Sequence, residues 1–545
     1  MKSIKKCIAR SLLICLTILS ISCSDNFLDQ PPLGFLDEDT YVTTEDAGFK
    51  LLTDCYRPIL EHWTYQTMKF DTGDQLSDDF SKGGSDANDR IAITDVARGN
   101  PLPTNTLLTD LWNHRYQTAI GKCNVFLSLV TPETPLIHTG GALVSTAEKE
   151  RWIAECYFLR AFYYYDLATI FANVPIIDKP LSALNKEDIT KSDFSDVIAF
   201  IISDLDKAIN SKLPGVKELP AAEIGRITKE AAMTFRARVN LFNKNYEAAK
   251  TDLKAVIDAN CYELVDNYED LFNSAEKGYK SKEAVFITLR NYNPPYANGS
   301  VCPQMNVGRA GTGGWGGECP TNDLVSEYEV GDPRLVHTVL SSGDIFVKPD
   351  ETEEVHDYSG YDNFPLQHSR KQYPDWSRRP VSSLIETDWT FYHIRYADVL
   401  LMYAECLIET NGDKQTVVDI LNKIRHRAFV TTSPVDTYAK YRKFNVPENE
   451  RVTEATFESK KVKITDDLRA AVRHERRVEL GGEGLRLYDL LRWGTFVDKM
   501  QTFGKTNEGR YSNAGTQVTD KTWPYPIPQN EIDYVGGSLT QNDNY

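Results

Sequence analysis

Cysteines and catalytic sequence motifs are scarce in this 545-residue chain. Seven cysteines follow Cys23, an odd number spread along the sequence without a CxxC pair. This pattern is typical neither of a disulfide-rich domain nor of a cysteine zinc site. A disulfide stays open only for Cys302 and Cys319, which lie close together in a glycine-rich stretch. The chain also has neither GxSxG nor HExxH, so it offers no motif of a serine hydrolase or a zinc peptidase.

Basic patches and long apolar runs are missing as well. The formal net charge is −17 at pH 7, and no arginine- or lysine-rich run interrupts this acidity. Such a composition disfavours nucleic acid as a partner. After the first residues, no segment approaches the ~20 apolar residues that a membrane-spanning helix needs.

The amino-terminal residues have the pattern of a secretory signal. Four basic residues precede the apolar stretch 11–21, which is too short for a membrane span and ends at Ser22 and Cys23. A small residue before cysteine resembles the bacterial lipoprotein processing site, although Ser20 stands where leucine is common. We expect residues 1–22 to be removed and Cys23 to carry the lipid that anchors the body, 23–545. The alternative is an ordinary cleaved signal with Cys23 as a bystander.

Apolar residues at helical spacing predict a mostly α fold. The spacing predicts helices over 106–130, 147–172 and 194–210, and a helix pair over 228–259 that begins at the N-cap Thr228. The small and aromatic residues of this pair resemble a tetratricopeptide helix pair. We therefore expect residues 23–272 to form an amino-terminal part of tetratricopeptide-like helix pairs. Further helices are predicted over 391–410, 415–429, 465–480 and 484–500.

Residues 273–390 differ in composition from the helical parts. They are rich in Gly, Pro, Asn, Asp and Tyr, with short strand-like runs such as Ala284–Leu289. A long irregular segment inside a compact protein is usually functional. We predict that the helix pairs support this loop-rich ligand-binding segment, so that 273–545 comprises the ligand segment and the carboxy-terminal helices.

The densest charged segment is Arg473–Trp493. It can form either a charged active cleft or a set of interhelical ion pairs, in which arginine forks match carboxylates on the helix containing Arg395, Asp398 and Glu405. Because leucines alternate with the arginines, we favour the ion pairs. His474 is then a structural neighbour and not a catalytic base.

Motifs along nearly the whole chain resemble the SusD/RagB family of outer-membrane nutrient-binding lipoproteins. The strongest is Arg473–Trp493, which contains ERRVEL, EGLRLYDL and RW. The others follow in family order: FLDQPP at 27–32, AECYFLRAFYYYDL at 154–167, Val174-Pro175, 227–249, IRYADVLLMYAE at 394–405, 421–428, YPIP at 525–528 and 539–545. Each motif alone is weak, but the combination is specific.

The resemblance implies a function as well as a fold. It implies one mostly helical domain that binds an oligosaccharide at the cell surface and delivers it to a SusC-like TonB-dependent barrel in the outer membrane. Some members take peptides, so a peptide ligand stays open. The family performs no catalysis and needs no cofactor, in agreement with the missing catalytic motifs.

Sugars offer C–H faces to aromatic rings and hydroxyl groups to polar side chains. The loop-rich segment supplies such residues at Tyr292, Tyr296, Asn306, Arg309 and Trp315, with Trp376 as a further aromatic candidate. Trp315 is either a packed anchor or an exposed platform, and its neighbouring glycines favour the platform. An acidic loop over 71–90 adds Asp78, Asp79, Asn88 and Arg90, although it equally fits a solvated loop. Calcium is unsupported there because the ligand spacing is irregular.

Two other classes of protein make contrasting structural predictions. A surface glycoside hydrolase requires two carboxylates that face each other beside Trp315 in a deep cleft. A helical adaptor that binds only proteins predicts that Trp315 is buried and that no aromatic platform is exposed.

Overall fold

A computed structural model describes residues 41–272, 280–290, 299–307, 314–348, 350–357, 367–373, 387–506 and 513–545. Cys23, Tyr292, Tyr296, Arg309 and Trp376 lie outside these ranges. Within them the chain is mostly helical, which confirms the predicted fold class. None of the helices in these ranges combines the length and the apolarity that crossing a membrane requires.

Eighteen α-helices are described over these ranges. They are α1 Ala47–Tyr56, α2 Met68–Gly73, α3 Ile91–Arg98, α4 Thr106–Asn113, α5 Gly121–Leu129, α6 Thr146–Phe171, α7 Phe194–Ile209, α8 Lys229–Phe242, α9 Tyr246–Asp258, α10 Cys302–Asn306, α11 Asn322–Glu327, α12 Arg334–Thr338, α13 Tyr396–Glu409, α14 Lys414–His426, α15 Leu468–Leu480, α16 Arg486–Trp493, α17 Phe496–Gly504 and α18 Gln529–Val535. A π-helical segment, His114–Ile120, joins α4 to α5. Residues 106–129 are therefore helical without interruption, in agreement with the single helix predicted over 106–130.

Consecutive helices pack in pairs, the first of which contains the long helix α6. Its apolar residues go nearly all round the helix, and from Ala154 onward almost every side chain is buried. Helix α7 packs on α6, α9 packs on α8, and α14 packs on α13. The Thr228 hydroxyl accepts a hydrogen bond from the amide of Ala231 and so caps α8 as expected. The predicted helix-pair scaffold is confirmed.

Within the described ranges, nine short strands form small antiparallel sheets between the helices. They are β1 Phe80–Lys82, β2 Ala284–Thr288, β3 Glu318–Pro320, β4 Val339–Ser341, β5 Asp344–Val347, β6 Glu353–His356, β7 Gln367–Ser369, β8 Phe391–Arg395 and β9 Ala439–Tyr441. The prediction of a helix starting at residue 391 is wrong, because β8 pairs with β2 and α13 starts at Tyr396. Aromatic and β-branched side chains in β8 favour this strand.

The charged segment Arg473–Trp493 forms buried ion pairs between α13, α15, α16 and the strands. On α15, Glu479 accepts hydrogen bonds from Arg334 at 3.0 Å and Arg395 at 2.6 Å, and it also pairs with Arg427. These four side chains are almost fully buried. The interpretation of the segment as structural ion pairs is confirmed.

His474 lies at the edge of this network, on α15. Its Nδ1 atom is 2.6 Å from Glu327 Oε1, and its Nε2 atom is 3.6 Å from Glu329 Oε1. Burial lowers the pKa of His474, but the hydrogen bonds to Glu327 and Glu329 outweigh burial and raise it to about 9. At neutral pH the imidazole is therefore protonated and forms ion pairs with Glu327 and Glu329 at the edge of the network.

We expect His474→Gln to reduce stability in a pH-dependent way. Because the folded-state pKa lies above the unfolded value of about 6.5, the stabilisation is complete below about pH 6.5 and is lost as the pH rises through about 9. Urea unfolding at about pH 6 and about pH 10 tests this, with a large difference from wild type only at the lower pH. The control is His426→Gln, since His426 pairs with the exposed Glu454. An equal difference at both pH values contradicts the assignment.

Candidate ligand-binding cleft

Two tryptophans from distant parts of the chain meet at the surface. Trp63 lies in the π-helical segment His62–Thr67 and is 55% exposed, while Trp315 follows α10 and is 46% exposed. Their ring centroids are 5.3 Å apart, and the ring planes are inclined by 34°. Large aromatic side chains left this exposed and in contact with each other indicate a binding surface.

Backbone hydrogen bonds hold the Trp315 loop between α10 and the chain after β1. The Trp315 amide donates to the Gln304 carbonyl at 2.7 Å. The amides of Gly83 and Gly84 donate to the carbonyls of Gly317 and Gly316, both at 2.9 Å. These bonds extend the pairing of β1 with β3. The Trp315 backbone is therefore fixed on both sides.

Glycine is required where these backbones approach each other. A Cβ atom on Gly83 would lie 1.9 Å from the Gly316 carbonyl oxygen. One on Gly317 would lie 2.7 Å from the Met305 carbonyl oxygen and 2.8 Å from Arg90 Nη1. Such distances are far inside van der Waals contact, so the glycines allow the close packing that positions Trp315.

The tryptophans border a cleft of about 480 Å³. Its described lining residues are Trp63, Gly84, Asp89, Arg90, Met305, Gly314, Trp315 and Gly317. Among them Asp89 is the one carboxylate. The lining therefore combines an aromatic surface with a few polar groups, as small-ligand sites do.

Arg90 supplies the cationic group of the cleft. It has the left-handed backbone conformation, with φ of 54°, directly before α3. Its Nη2 atom pairs with the buried carboxylate of Asp71. Its Nη1 atom is buried without a hydrogen-bond partner among the described residues. Arg90 is thus held by one nitrogen, while its side chain as a whole stays 23% exposed where it lines the cleft.

Asp78 and Asp79 do not reach the cleft, which corrects the prediction that placed them on the ligand face. Both are buried: Asp78 lies 2.8 Å from Arg477 and Arg486, and Asp79 lies 2.7 Å from Arg477. Burial raises the pKa of both carboxyls, but for Asp78 the charges of Arg486 and Arg477 outweigh it and hold the pKa well below its usual range. These carboxylates join the acidic loop to α15 and α16.

The remaining predicted residues divide between the core and the surface. Asn306 is fully buried and donates to Gln372 Oε1 at 2.8 Å, so it lies behind the cleft and its assignment as a surface contact is corrected. Asn88 is exposed on the loop beside Arg90 but does not line the cleft. The structure thus brings Arg90 and Trp315 together and adds Trp63, Asp89 and Met305. The sequence contained a clue to the part played by Trp63, because this tryptophan precedes the acidic loop that carries Arg90.

Two cysteines near the cleft are not joined by a disulfide. Cys302 starts α10 and Cys319 lies in β3, and both side chains are buried. The disulfide that the sequence left open is not present in this structure.

Comparison with known proteins yields one family for both halves of the chain. Residues 272–545 match the profile of the SusD family. Residues 34–241 match a profile described as starch-binding and associating with the outer membrane. A SusD-like protein of Bacteroides ovatus is 24% identical over 94% of this chain and 90% of that protein.

Solved structures show the same fold. A SusD-like carbohydrate-binding protein from Bacteroides fragilis has a TM-score of 0.70 and 26% identity, covering 92% of this chain and 100% of that chain. Surface glycan-binding protein A from Bacteroides thetaiotaomicron, in complex with laminarihexaose, has a TM-score of 0.68 and 21% identity over 92% and 100%. The family resemblance found in the sequence is confirmed: this chain belongs to the SusD family.

Proposed function

We propose that this protein binds a nutrient oligosaccharide in the cleft formed by Trp63 and Trp315. The observation that carries the proposal is the exposure of two large indole rings beside the cationic group of Arg90. Indole faces cover the C–H faces of sugar rings, while a guanidinium donates hydrogen bonds to hydroxyl groups. Relatives described as carbohydrate-binding, one of them bound to laminarihexaose, support the same ligand class.

Binding without catalysis or a cofactor is part of the proposal. Hydrolysis of a glycosidic bond requires two carboxyl groups that flank the bond, about 5–10 Å apart. Asp89 alone supplies a carboxylate to the described lining, and Asp71 behind it is paired with Arg90. The exposed Trp315 also disfavours the adaptor hypothesis, which required this residue to be buried.

The test is calorimetry of the intact protein with a panel of soluble oligosaccharides and a matched panel of peptides. We expect at least one glycan to bind and the peptides to give no heat. Chromatography of the bound glycan after long incubation should recover it unchanged. Binding confined to peptides would replace the sugar with a peptide ligand, and shortened glycan products would make the protein an enzyme.

We further propose that the protein delivers the bound oligosaccharide to a transporter in the outer membrane. A lipid on Cys23 would tether the body to the outer membrane at high effective concentration beside a SusC-like TonB-dependent barrel. The outer-membrane association described for the matched profile supports this location. Affinity purification from outer membranes should recover such a barrel with the protein. Recovery of the protein without any barrel would contradict this part of the proposal.

Arg90→Lys should weaken glycan binding by about tenfold, because the ligand loses one charge-assisted hydrogen bond of about 1.5 kcal/mol. Lysine keeps the positive charge beside Asp71, which limits the effect on folding. The matched control is Asn88→Ala, on the same loop but outside the lining. Calorimetry should give wild-type affinity for Asn88→Ala. Equal losses in both variants would indicate a general effect on the loop.

A further inference from the structure

Three cysteine side chains from three helices converge in the core. Cys55 lies near the end of α1, Cys123 on α5 and Cys156 on α6, and these helices pack against one another. All three side chains are fully buried, and none lines the cleft. Their sulfur atoms lie within 4.8 Å of one another, with Cys55 and Cys156 Sγ 3.9 Å apart.

The sulfur separations fit a metal ion at the centre of the three thiols. Thiolates are ligands of soft metal ions, and a metal–sulfur bond is about 2.3 Å long. Three sulfur atoms at that distance around a planar trigonal ion lie about 4.0 Å apart, close to the observed 3.9 Å between Cys55 and Cys156. The site can therefore close around an ion with small side-chain movements.

The alternatives fit the geometry less well. A disulfide needs the two sulfur atoms about 2.05 Å apart, so Cys55 and Cys156 would have to approach by almost 2 Å and would leave Cys123 unused. Structural zinc takes four ligands. Among the described residues, the group that satisfies the ligand distances contains three thiols and no histidine or carboxylate. A three-coordinate ion matches this set.

We propose that Cys55, Cys123 and Cys156 form a three-thiol binding site for a soft, thiophilic monovalent ion, of which copper(I) is the ion to test. Each thiol that binds as a thiolate releases its proton to solvent, and the ion offsets one of the negative charges formed. No electron transfer is involved. A bound ion would link α1 to α5 and α6, so it should stabilise the fold.

The experiment supplies copper(I) anaerobically, from a coloured copper(I)-chelator complex, to the purified and reduced intact protein. We expect one copper to be retained per chain, three sulfur ligands in X-ray absorption, and a higher melting temperature, because the ion binds the folded state. Cys123→Ser should lower retention against the chelator by at least about tenfold, because one of the three ligands is lost. The matched control, Cys406→Ser, removes another fully buried thiol, outside the cluster, and should retain copper as wild type does.

Several outcomes would overturn the site. Copper that stays with the chelator, or that is retained equally by wild type and Cys123→Ser, would remove it. Peptide mapping that finds a Cys55–Cys156 disulfide in the protein as isolated would replace it with a redox pair. Circular dichroism checks that each variant is folded. If Cys123→Ser is not folded, Cys55→Ala provides the same comparison by removing a different ligand.

Discussion

Replacing Trp315 with alanine is expected to weaken glycan binding by about 30-fold or more. Truncating a central aromatic anchor of a binding surface typically costs about 2 kcal/mol or more, which corresponds to that factor. The loss has two parts, because the variant removes one indole face and also the support that Trp315 gives to Trp63 at 5.3 Å. Calorimetry or quenching of tryptophan fluorescence measures the affinity.

A double-mutant cycle with Trp63→Ala separates these parts. If the two indoles act as one surface, the double variant should lose less affinity than the sum of the single variants. Trp493→Phe is a control far along the chain, since this tryptophan stacks with Arg473 and Arg492 and does not line the cleft. Wild-type affinity in Trp315→Ala would remove the proposed site.

Glu479→Gln is expected to destabilise the protein by about 3–5 kcal/mol. Removing one partner of a buried ion pair is strongly destabilising, by about 3–5 kcal/mol, because the other charge stays buried without compensation. Here one carboxylate serves Arg334, Arg395 and Arg427, and all of these side chains are buried. The variant should shift the midpoint of urea unfolding strongly toward lower urea, with little change in slope.

Asp258→Asn tests whether the large loss of stability expected for Glu479→Gln depends on the burial of its ion pairs. Lys254 and Asp258 form an ion pair on α9 with both side chains more than half exposed, so its removal should shift the midpoint of urea unfolding only slightly. Similar shifts for Glu479→Gln and Asp258→Asn would contradict a network that depends on burial. The comparison also tests the interpretation of the Arg473–Trp493 segment as scaffold.

The helical scaffold was largely predictable because its determinants are local. The all-round apolar pattern of α6 and the N-cap Thr228 of α8 lie within a few residues of the structure they specify. The start of α13 was misplaced because β8 depends on pairing with β2, more than a hundred residues earlier in the chain. Local periodicity does not contain that information.

The cleft was only partly predictable because long-range contacts build it. The glycines around Trp315 indicated an exposed side chain, and it is exposed. The acidic loop led to a wrong prediction. Asp78 and Asp79 stand in a sequence typical of a solvated surface, but they pair with Arg477 and Arg486 near the other end of the chain. Nothing local to the loop distinguishes a buried ion pair from an exposed carboxylate.

The most direct test of the central proposal is a crystal structure of the intact protein bound to the glycan that calorimetry selects. We predict that a sugar ring lies within about 4 Å of the Trp315 indole, the distance of van der Waals contact, and that Arg90 donates to a sugar hydroxyl. A glycan bound elsewhere, for instance in the groove between Trp112 and Tyr534, with the Trp63–Trp315 cleft empty, would contradict it.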